Sequence, residues 1–171
     1  MKHFVRAFTI ILTLFASVTT MAAEKEYAIK AGFLYNFARY SQWQSLEDSV
    51  DNFNICSPDA TFIEIADEVL SSQTIKGKPV TTQIIAPLPN EPTNQCHIVF
   101  ITAETFSPPL SDFGHNAMLV GESDGFIESG GHIRFFLSGG KIRFEVSPDH
   151  LKHSAINISS KVLRLGKVVG R

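Results

Sequence analysis

Apolar side chains recur at helical spacing between Glu26 and Trp43, a stretch that has no Pro and a single Gly. Two stripes run along it, one formed by Tyr27, Ala31, Leu34 and Ala38 and the other by Ile29, Phe33, Phe37 and Tyr40. A helix that is apolar on nearly all sides either lies in the core or lends one face to a partner. The pattern therefore predicts a helix, and both placements remain open.

The middle of the chain alternates short apolar runs with helical or irregular connections. Phe53 to Cys56 is a short apolar run, and Ser57-Pro58-Asp59 is typical of a turn that caps a following helix. Further apolar runs occupy residues 80–85, 97–102 and 117–120, with Pro, Gly and polar residues between them. An unbroken apolar run between such breakers favours a strand covered on both faces. This order of elements is typical of an α/β sandwich.

The last third of the chain predicts a β-hairpin followed by helices. Ile133 to Leu137 and Lys141 to Val146 are two strand-like runs, and the glycines between them supply the positive φ angles of a tight turn. Ser147-Pro148-Asp149 predicts a helix start, and a last helix is predicted from Ile158 onward. We interpret a basic stripe on that last helix as a solvated face, formed by Lys161, Arg164, Lys167 and Arg171.

The combined pattern predicts a single α/β domain with a mixed β-sheet of about five or six strands flanked by helices. No internal repeat, charge block or long Gly/Ser linker divides the chain. With 44% hydrophobic and 19% charged residues, the composition is that of an ordinary globular protein. The formal charge of −2 lacks the positive excess that nucleic acid attracts, so we expect no nucleic-acid partner.

Residues 1–22 have the pattern of a secretory signal peptide. A short basic start is followed by an apolar run from Ala7 to Val18 and by small residues before an expected cut after Ala22. The apolar run is about half the length of the ~20 residues that a transmembrane helix needs. We therefore expect export without a membrane anchor, and a mature domain that spans residues 23–171.

Export changes the meaning of the two cysteines, Cys56 and Cys96, because disulfides persist in oxidising compartments. A bridge between them would close a loop of roughly 40 residues, for which the chain-entropy model gives at most ~4 kcal/mol. Cys56 ends its predicted strand whereas Cys96 opens its own, so two parallel neighbours would place them at opposite ends. Either the strands run antiparallel, or Cys96 lies in the loop and folds back. We predict the bridge as a structural staple.

No catalytic constellation stands out. The string from Gly121 to Gly125 matches the GxSxG nucleophile elbow, and Asp149 and His153 follow in the order of a hydrolase triad. An elbow must pass directly into a helix, however, and here another strand is predicted after a few Gly-rich residues, so a turn is the better interpretation. His150 and His153 lack the further ligands that a zinc site needs. We expect no enzyme activity, no metal and no cofactor.

Three stretches of the chain together resemble the YfiR family of small periplasmic proteins. The first is KAGFLYNFARY at residues 30–40, with Trp43 after it. The second combines IKGKPV at 75–80 with CHIVFI at 96–101. The third contains glycines 125, 130 and 131, then IRFEV at 142–146 and ISSKVLRL at 158–165. These stretches follow one another along nearly the whole predicted mature chain.

The resemblance implies an exported α/β protein, often dimeric, that restrains an inner-membrane diguanylate cyclase through the periplasmic sensory part of the cyclase. It also implies that an outer-membrane lipoprotein sequesters the restrainer. Cyclic di-GMP output would change on the cytoplasmic side, and biofilm formation would change with it. Localisation in the periplasm and a homodimer are the corresponding expectations. The matching residues include the cysteine pair Cys56 and Cys96.

Two hypotheses about binding follow. The first helix ends in Tyr35, Arg39, Tyr40 and Trp43, which are residue types that interface hot spots favour. We predict that these four residues contact the protein partner. The alternative hypothesis is a periplasmic module for a small ligand, with a pocket lined by Phe33, Tyr40 and Trp43.

Overall fold

The computed structural model describes residues 2–44, 51–86, 95–107, 109–113 and 116–170, with the backbone alone for residues 2–20 and for Asp112. The helices are α1 (Lys2–Arg39), α2 (Ala60–Leu70), α3 (Pro148–His153) and α4 (Ser160–Leu163), and a 3-10 helix spans Leu110–Phe113. The strands are β1 (Ser41–Trp43), β2 (Phe53–Ser57), β3 (Thr74–Ile75), β4 (Lys78–Ile84), β5 (Ile98–Ile101), β6 (Met118–Gly121), β7 (Ile133–Ser138), β8 (Lys141–Val146), β9 (Ile156–Ile158) and β10 (Lys167–Val168).

The main sheet has eight strands in the order β10-β8-β7-β6-β5-β2-β4-β3. Its central strands β4, β2, β5, β6 and β7 are parallel, whereas β8 returns from β7 as the predicted antiparallel hairpin. A separate antiparallel ribbon pairs β1 with β9. The α/β class and the mixed sheet are confirmed. The six predicted strands correspond to β2 and β4 to β8, and the four additional strands are only two or three residues long, too short to show an alternating pattern.

The α1 helix covers one face of the sheet. Its buried side chains Leu34 and Phe37 join Phe100 and Phe135 of the sheet and Phe62 of α2 in the larger core cluster. The N-cap of α2 is Asp59, whose side chain accepts a hydrogen bond from the Phe62 N–H, as the turn sequence predicts. These contacts fix α1 across the strands.

The opposite face of the sheet is covered mainly by irregular chain. There the ring of Phe126 packs between Gly121 and Gly131, and a Cβ atom at either glycine would overlap that ring. Phe126, Phe113 and the two cysteines belong to a second cluster of buried side chains. Both faces are therefore apolar, which agrees with the unbroken apolar runs of β5 and β6.

The first helix differs from its prediction at both ends. It begins at Lys2 and continues through the predicted signal peptide, whose cleavage stays a prediction. It ends at Arg39 instead of Trp43, because residues 41–43 pair with β9. Within the part of the chain that the structure describes, no helix combines the length and the apolar character that a membrane crossing requires.

The last helix is shorter than predicted. α4 ends at Leu163, and Lys167 and Val168 pair with β8. Gly166 lies against the ring of Phe144, where a Cβ atom would collide. Tertiary packing therefore ends the helix, and the predicted basic stripe is not one helical face, with Arg171 outside the described residues.

The structure contains the predicted disulfide between Cys56 and Cys96, with Cα atoms 5.9 Å apart. β2 and β5 run parallel, with Cys56 opposite Val99. Cys96 lies before β5, so the chain folds back to bring it to Cys56. The second of the two alternatives is thus the one that the fold adopts.

We expect reduction to lower the free energy of unfolding by up to ~4 kcal/mol, because the bridge restricts the unfolded chain. Urea unfolding with and without a phosphine reductant measures the loss. The double variant Cys56→Ala/Cys96→Ala is the control, and the reductant should not change its stability. Two alkylatable thiols in native protein purified from the periplasm would contradict the bridge.

Two glycine-to-alanine substitutions should have opposite signs. Gly121→Ala should destabilise the fold, because the new methyl group displaces the buried Phe126 ring. Gly32→Ala places the same methyl group on α1 with nothing within 4 Å and should stabilise the fold by about 0.5–1 kcal/mol. Urea unfolding midpoints measure both changes. Equal effects of the two substitutions would contradict the packing described for Phe126.

Candidate functional site

Tyr35, Arg39 and Tyr40 lie together on the surface at the last turn of α1. The Arg39 guanidinium carbon is 5.5 Å from the centroid of the Tyr35 ring and 5.8 Å from that of the Tyr40 ring. The Tyr35 hydroxyl donates to the carbonyl oxygen of Thr74 at 3.4 Å, while Tyr40 is 38% exposed. Three of the four residues predicted to contact a partner therefore form one cluster of aromatic rings around a cation.

Trp43, the fourth residue of that prediction, is only 3% exposed. Its indole packs edge-on against Phe53 at 5.3 Å between ring centroids and against His97 at 6.2 Å. A buried ring offers no area to a partner, so Trp43 belongs to the core and supports the surface from behind. The surface at the end of α1 consists of Tyr35, Arg39 and Tyr40.

The β1–β9 ribbon holds the backbone of this surface. Ser159 N donates to the carbonyl oxygen of Tyr40 at 2.8 Å, and Gln44 N donates to that of Ala155 at 3.1 Å. The strand pairing of residues 41–43 lies between these two bonds. Tyr40 is thus exposed on a backbone that is fixed on both sides, which would lower the entropy cost of any binding there.

Tyr40 separates two cavities. The apolar cavity has a volume of about 400 Å³ and is lined by Phe33, Asn36, Phe37, Tyr40, Phe144, Lys161, Val162 and Leu165. The basic cavity has a volume of about 410 Å³ and is lined by Arg39, Tyr40, Ser41, Gln42, Lys76, Asn157, Ile158 and Ser159. Phe33 and Tyr40 of the small-ligand hypothesis line the apolar cavity, whereas Trp43 does not.

Several residues of this region escaped the sequence-based prediction. Lys161 lies 5.7 Å from the centre of the Tyr40 ring, and Leu165 is 76% exposed at the edge of the apolar cavity. Lys76 is brought in by the turn between β3 and β4, where it has a φ of 52°. These residues are 36 or more positions away from Tyr40 along the chain, so the sequence does not show that they lie near it. Their charge and apolar spacing were the only signals of a role in this region.

A third cavity of about 400 Å³ lies where β5 and β6 end. Lys30 of α1 is buried there, and its ammonium pairs with Glu26 at 2.6 Å and with Glu122. The other Glu122 oxygen accepts the backbone N–H of Ala103 at 2.9 Å. The ammonium of Lys30 and the carboxylate of Glu122 are therefore already paired. Their ion pair connects α1 to the carboxyl ends of the strands.

The GxSxG string forms a turn, as the sequence predicts. Phe126 N donates to the carbonyl oxygen of Ser123 at 3.2 Å, and Gly125 has a φ of 77°. Residues 124–130 are turns, so no helix follows Ser123. The elbow geometry of a hydrolase is therefore not formed at Ser123.

The histidines of α3 have separate surroundings. The ring of His150 meets the carbonyl oxygen of Gly131 at 2.8 Å, while His153 is exposed. Among the described residues, no three His, Cys, Asp or Glu side chains come together in a way that would hold a metal ion.

Two buried histidines connect neighbouring parallel strands in the same way. His97 N donates to the carbonyl oxygen of Asn54, and the His97 Nδ1 accepts the Asn54 N–H at 3.1 Å. His132 repeats this exchange with Leu119, whose N–H lies 2.7 Å from the His132 Nδ1. Both rings must be neutral at Nδ1 to accept these bonds. Burial lowers the pKa of each to about 4, with further lowering by Lys78 for His97 and by His150 for His132.

We expect the protein to lose stability as the pH falls from 6.5 to 4. In the unfolded chain a histidine is protonated below about pH 6.5, whereas in the fold these two are protonated only below about pH 4. Between these values protonation favours the unfolded state, so the contribution of the two histidines to stability is fully present above pH 6.5. Each histidine contributes a slope of roughly 1.4 kcal/mol per pH unit. Urea unfolding followed by the fluorescence of Trp43, the single tryptophan, measures the free energy.

The variant His97→Asn keeps an acceptor near the Asn54 N–H but does not titrate, so its stability should fall less steeply with pH. His153→Asn changes an exposed histidine and should keep the native slope. Identical slopes in the native protein and in His97→Asn would contradict the pKa assigned to His97.

Comparison with known proteins gives one result that concerns the family of the chain. A family model described as YfiR/HmsC-like matches residues 27–167 of the 171. No curated protein matches the chain. The matched segment begins at Tyr27 in α1 and includes the surface at the end of α1, the disulfide and the main sheet up to the first residue of β10. Because the match covers well over half of its length, the chain belongs to the YfiR/HmsC-like family.

Proposed function

We propose that this protein is a periplasmic regulator that binds the periplasmic sensory domain of an inner-membrane diguanylate cyclase and restrains the enzyme. Family membership over residues 27–167 is the observation that carries the proposal. A disulfide between buried cysteines suits an oxidising compartment such as the periplasm. The cyclic di-GMP level in the cytoplasm would fall, and the cells would form less biofilm.

The contact would be made by the surface at the end of α1. Tyr and Arg are enriched among residues that dominate binding energy, and here both types are exposed and held by neighbours. The fixed ribbon behind Tyr40 lets the surface bind without first becoming ordered. The protein needs no chemistry of its own to act in this way.

Restraint would arise from a difference in affinity. A regulator that binds the inactive state of the cyclase more tightly than the active state shifts the population toward the inactive one. A shift from 1:99 to 99:1 requires roughly a 10⁴-fold difference in affinity. An outer-membrane lipoprotein that competes for the regulator would reverse the shift. A homodimer would present the surface twice to a dimeric receptor.

A binding module for a small ligand is the second candidate function. The apolar cavity favours it, because about 400 Å³ lies within the usual range for ligand sites and Phe33 and Tyr40 line it. Under this hypothesis the cavity, and not a protein contact, would be the reason for the exposed aromatic residues. The genetic experiment below separates the two candidates.

Deletion of the gene should raise cyclic di-GMP, measured by mass spectrometry of cell extracts. The increase should vanish in the one background that also lacks the partner cyclase, and this identifies the cyclase. Loss of single cyclases in otherwise native cells controls for their basal output. An unchanged cyclic di-GMP level after deletion, in cells that normally express the protein, would refute the regulator and leave the small-ligand module.

Tyr40→Ala and Trp43→Ala should fail for different reasons. Tyr40→Ala removes exposed aromatic area, so it should release the cyclase while the free energy of unfolding stays nearly unchanged. Trp43→Ala removes a core ring and should cost about 3–5 kcal/mol of stability. Complementation of the deletion, with urea unfolding of each purified variant, measures both effects. A stable Tyr40→Ala variant that still restrains the cyclase would remove this surface from the proposal.

A further inference from the structure

The basic cavity combines positive charge with hydrogen-bonding groups. Among the described residues that line it, the charged ones are Arg39 and Lys76, and both are cations. Gln42, Asn157 and Ser159 supply neutral polar side chains. A wall of this composition attracts an anion and disfavours a cation.

Arg39 contacts two aromatic rings and has no acidic partner among the described residues. Its guanidinium carbon lies 5.5 Å from the centroid of the Tyr35 ring and 5.8 Å from that of the Tyr40 ring. Elsewhere in that part of the chain, the buried or half-buried cations Lys30 and Arg134 each have two carboxylate partners. Arg39 is therefore oriented and keeps its capacity to bind a carboxylate with two hydrogen bonds.

Ser41 adds a buried donor to the cavity wall. The residue is 2% exposed, and its hydroxyl finds no hydrogen-bond partner within the described residues. Buried hydroxyls are rarely left without partners, because no hydrogen bond then offsets the free energy of desolvation. The carbonyl oxygens of Asn36 and Tyr40, which would repel an anion at the end of α1, already accept the N–H groups of Tyr40 and Ser159.

The geometry points to the basic cavity as the receptor for a carboxylate side chain, Asp or Glu, of the protein partner. Arg39 binds the carboxylate, and Lys76 supplies the second positive charge. This inference rests on the proposed function, since it names the partner chemistry that the surface at the end of α1 recognises.

A protein side chain fits this cavity better than a free inorganic anion. The exposed ring of Tyr40 forms part of the wall, and Ile158 also lines the cavity. A carboxylate on a peptide covers such apolar area with its own methylene groups and backbone, whereas phosphate would leave it in contact with water. The volume of about 410 Å³ also exceeds what a single inorganic anion fills.

The first test uses the isolated protein and two probes that differ only in charge. N-acetyl-glutamate amide should shift the backbone amide NMR signals of Ser41, Gln42 and Lys76, whereas N-acetyl-glutamine amide should not. Arg39→Gln should abolish the shifts. Arg143→Gln is the matched control, because Arg143 is an exposed arginine on β8 outside the cavity.

The second test uses the periplasmic domain of the cyclase that the deletion experiment identifies. Arg39→Gln and Lys76→Gln should each weaken its binding about tenfold and reduce the dependence of affinity on salt. Arg143→Gln and Lys141→Gln, which remove exposed charges on β8, should leave the affinity unchanged. Thermal unfolding shows that all four variants are folded.

The outcomes separate this inference from the proposed function. If Tyr40→Ala releases the cyclase but Arg39→Gln and Lys76→Gln do not, the regulator stands and the carboxylate receptor is overturned. If phosphate shifts the same NMR signals more strongly than the glutamate probe, and the two charge variants bind the cyclase normally, the cavity is a site for free anions and the inference is wrong. If no cyclase binds the native protein, both the proposed function and this inference are wrong.

Discussion

The packing of α1 against the sheet is the interaction on which the rest of the structure depends. Phe37 stacks on Phe135 with ring centroids 5.9 Å apart and meets Phe144 edge-on at 4.9 Å. Phe33 lies beside the same two rings. Aromatic contacts of this kind add to the large area that each ring buries. They set the position of α1 across β7 and β8, and so decide where on the surface Tyr40 lies.

The end of α1 becomes a surface because the next residues are fixed by distant parts of the chain. β1 pairs with β9, which follows α3, while Trp43 anchors the same strand against Phe53 and His97. His97 in turn bonds the backbone of β2. The core, the β1–β9 ribbon and the buried His97 thus support Tyr40 from behind. A substitution in any of them would shift Tyr40 indirectly, although none of them is part of the surface.

Charge is distributed unevenly over this framework. At the carboxyl ends of β5 and β6, the buried ammonium of Lys30 pairs with Glu26 and Glu122, and these ion pairs fix α1. At the other end of α1, Arg39 has aromatic neighbours but no described acidic one. Paired charges in the interior hold the fold, whereas a pre-positioned cation at the surface is available for recognition. The two ends of α1 therefore differ in how their charges are paired.

The sequence by itself determined the features whose cause is local. Apolar runs gave the six longer strands, glycines 139 and 140 gave the hairpin, and Asp59 and Ser147 gave two helix starts. The disulfide was predicted from two cysteines and a predicted export signal. Only the tertiary structure decided that Trp43 is buried, that Gly166 against Phe144 ends α4, and that Lys76, Ser41 and Arg39 share a cavity. Each of these depends on backbone pairing or close packing between segments far apart in the chain, which spacing along the sequence does not encode.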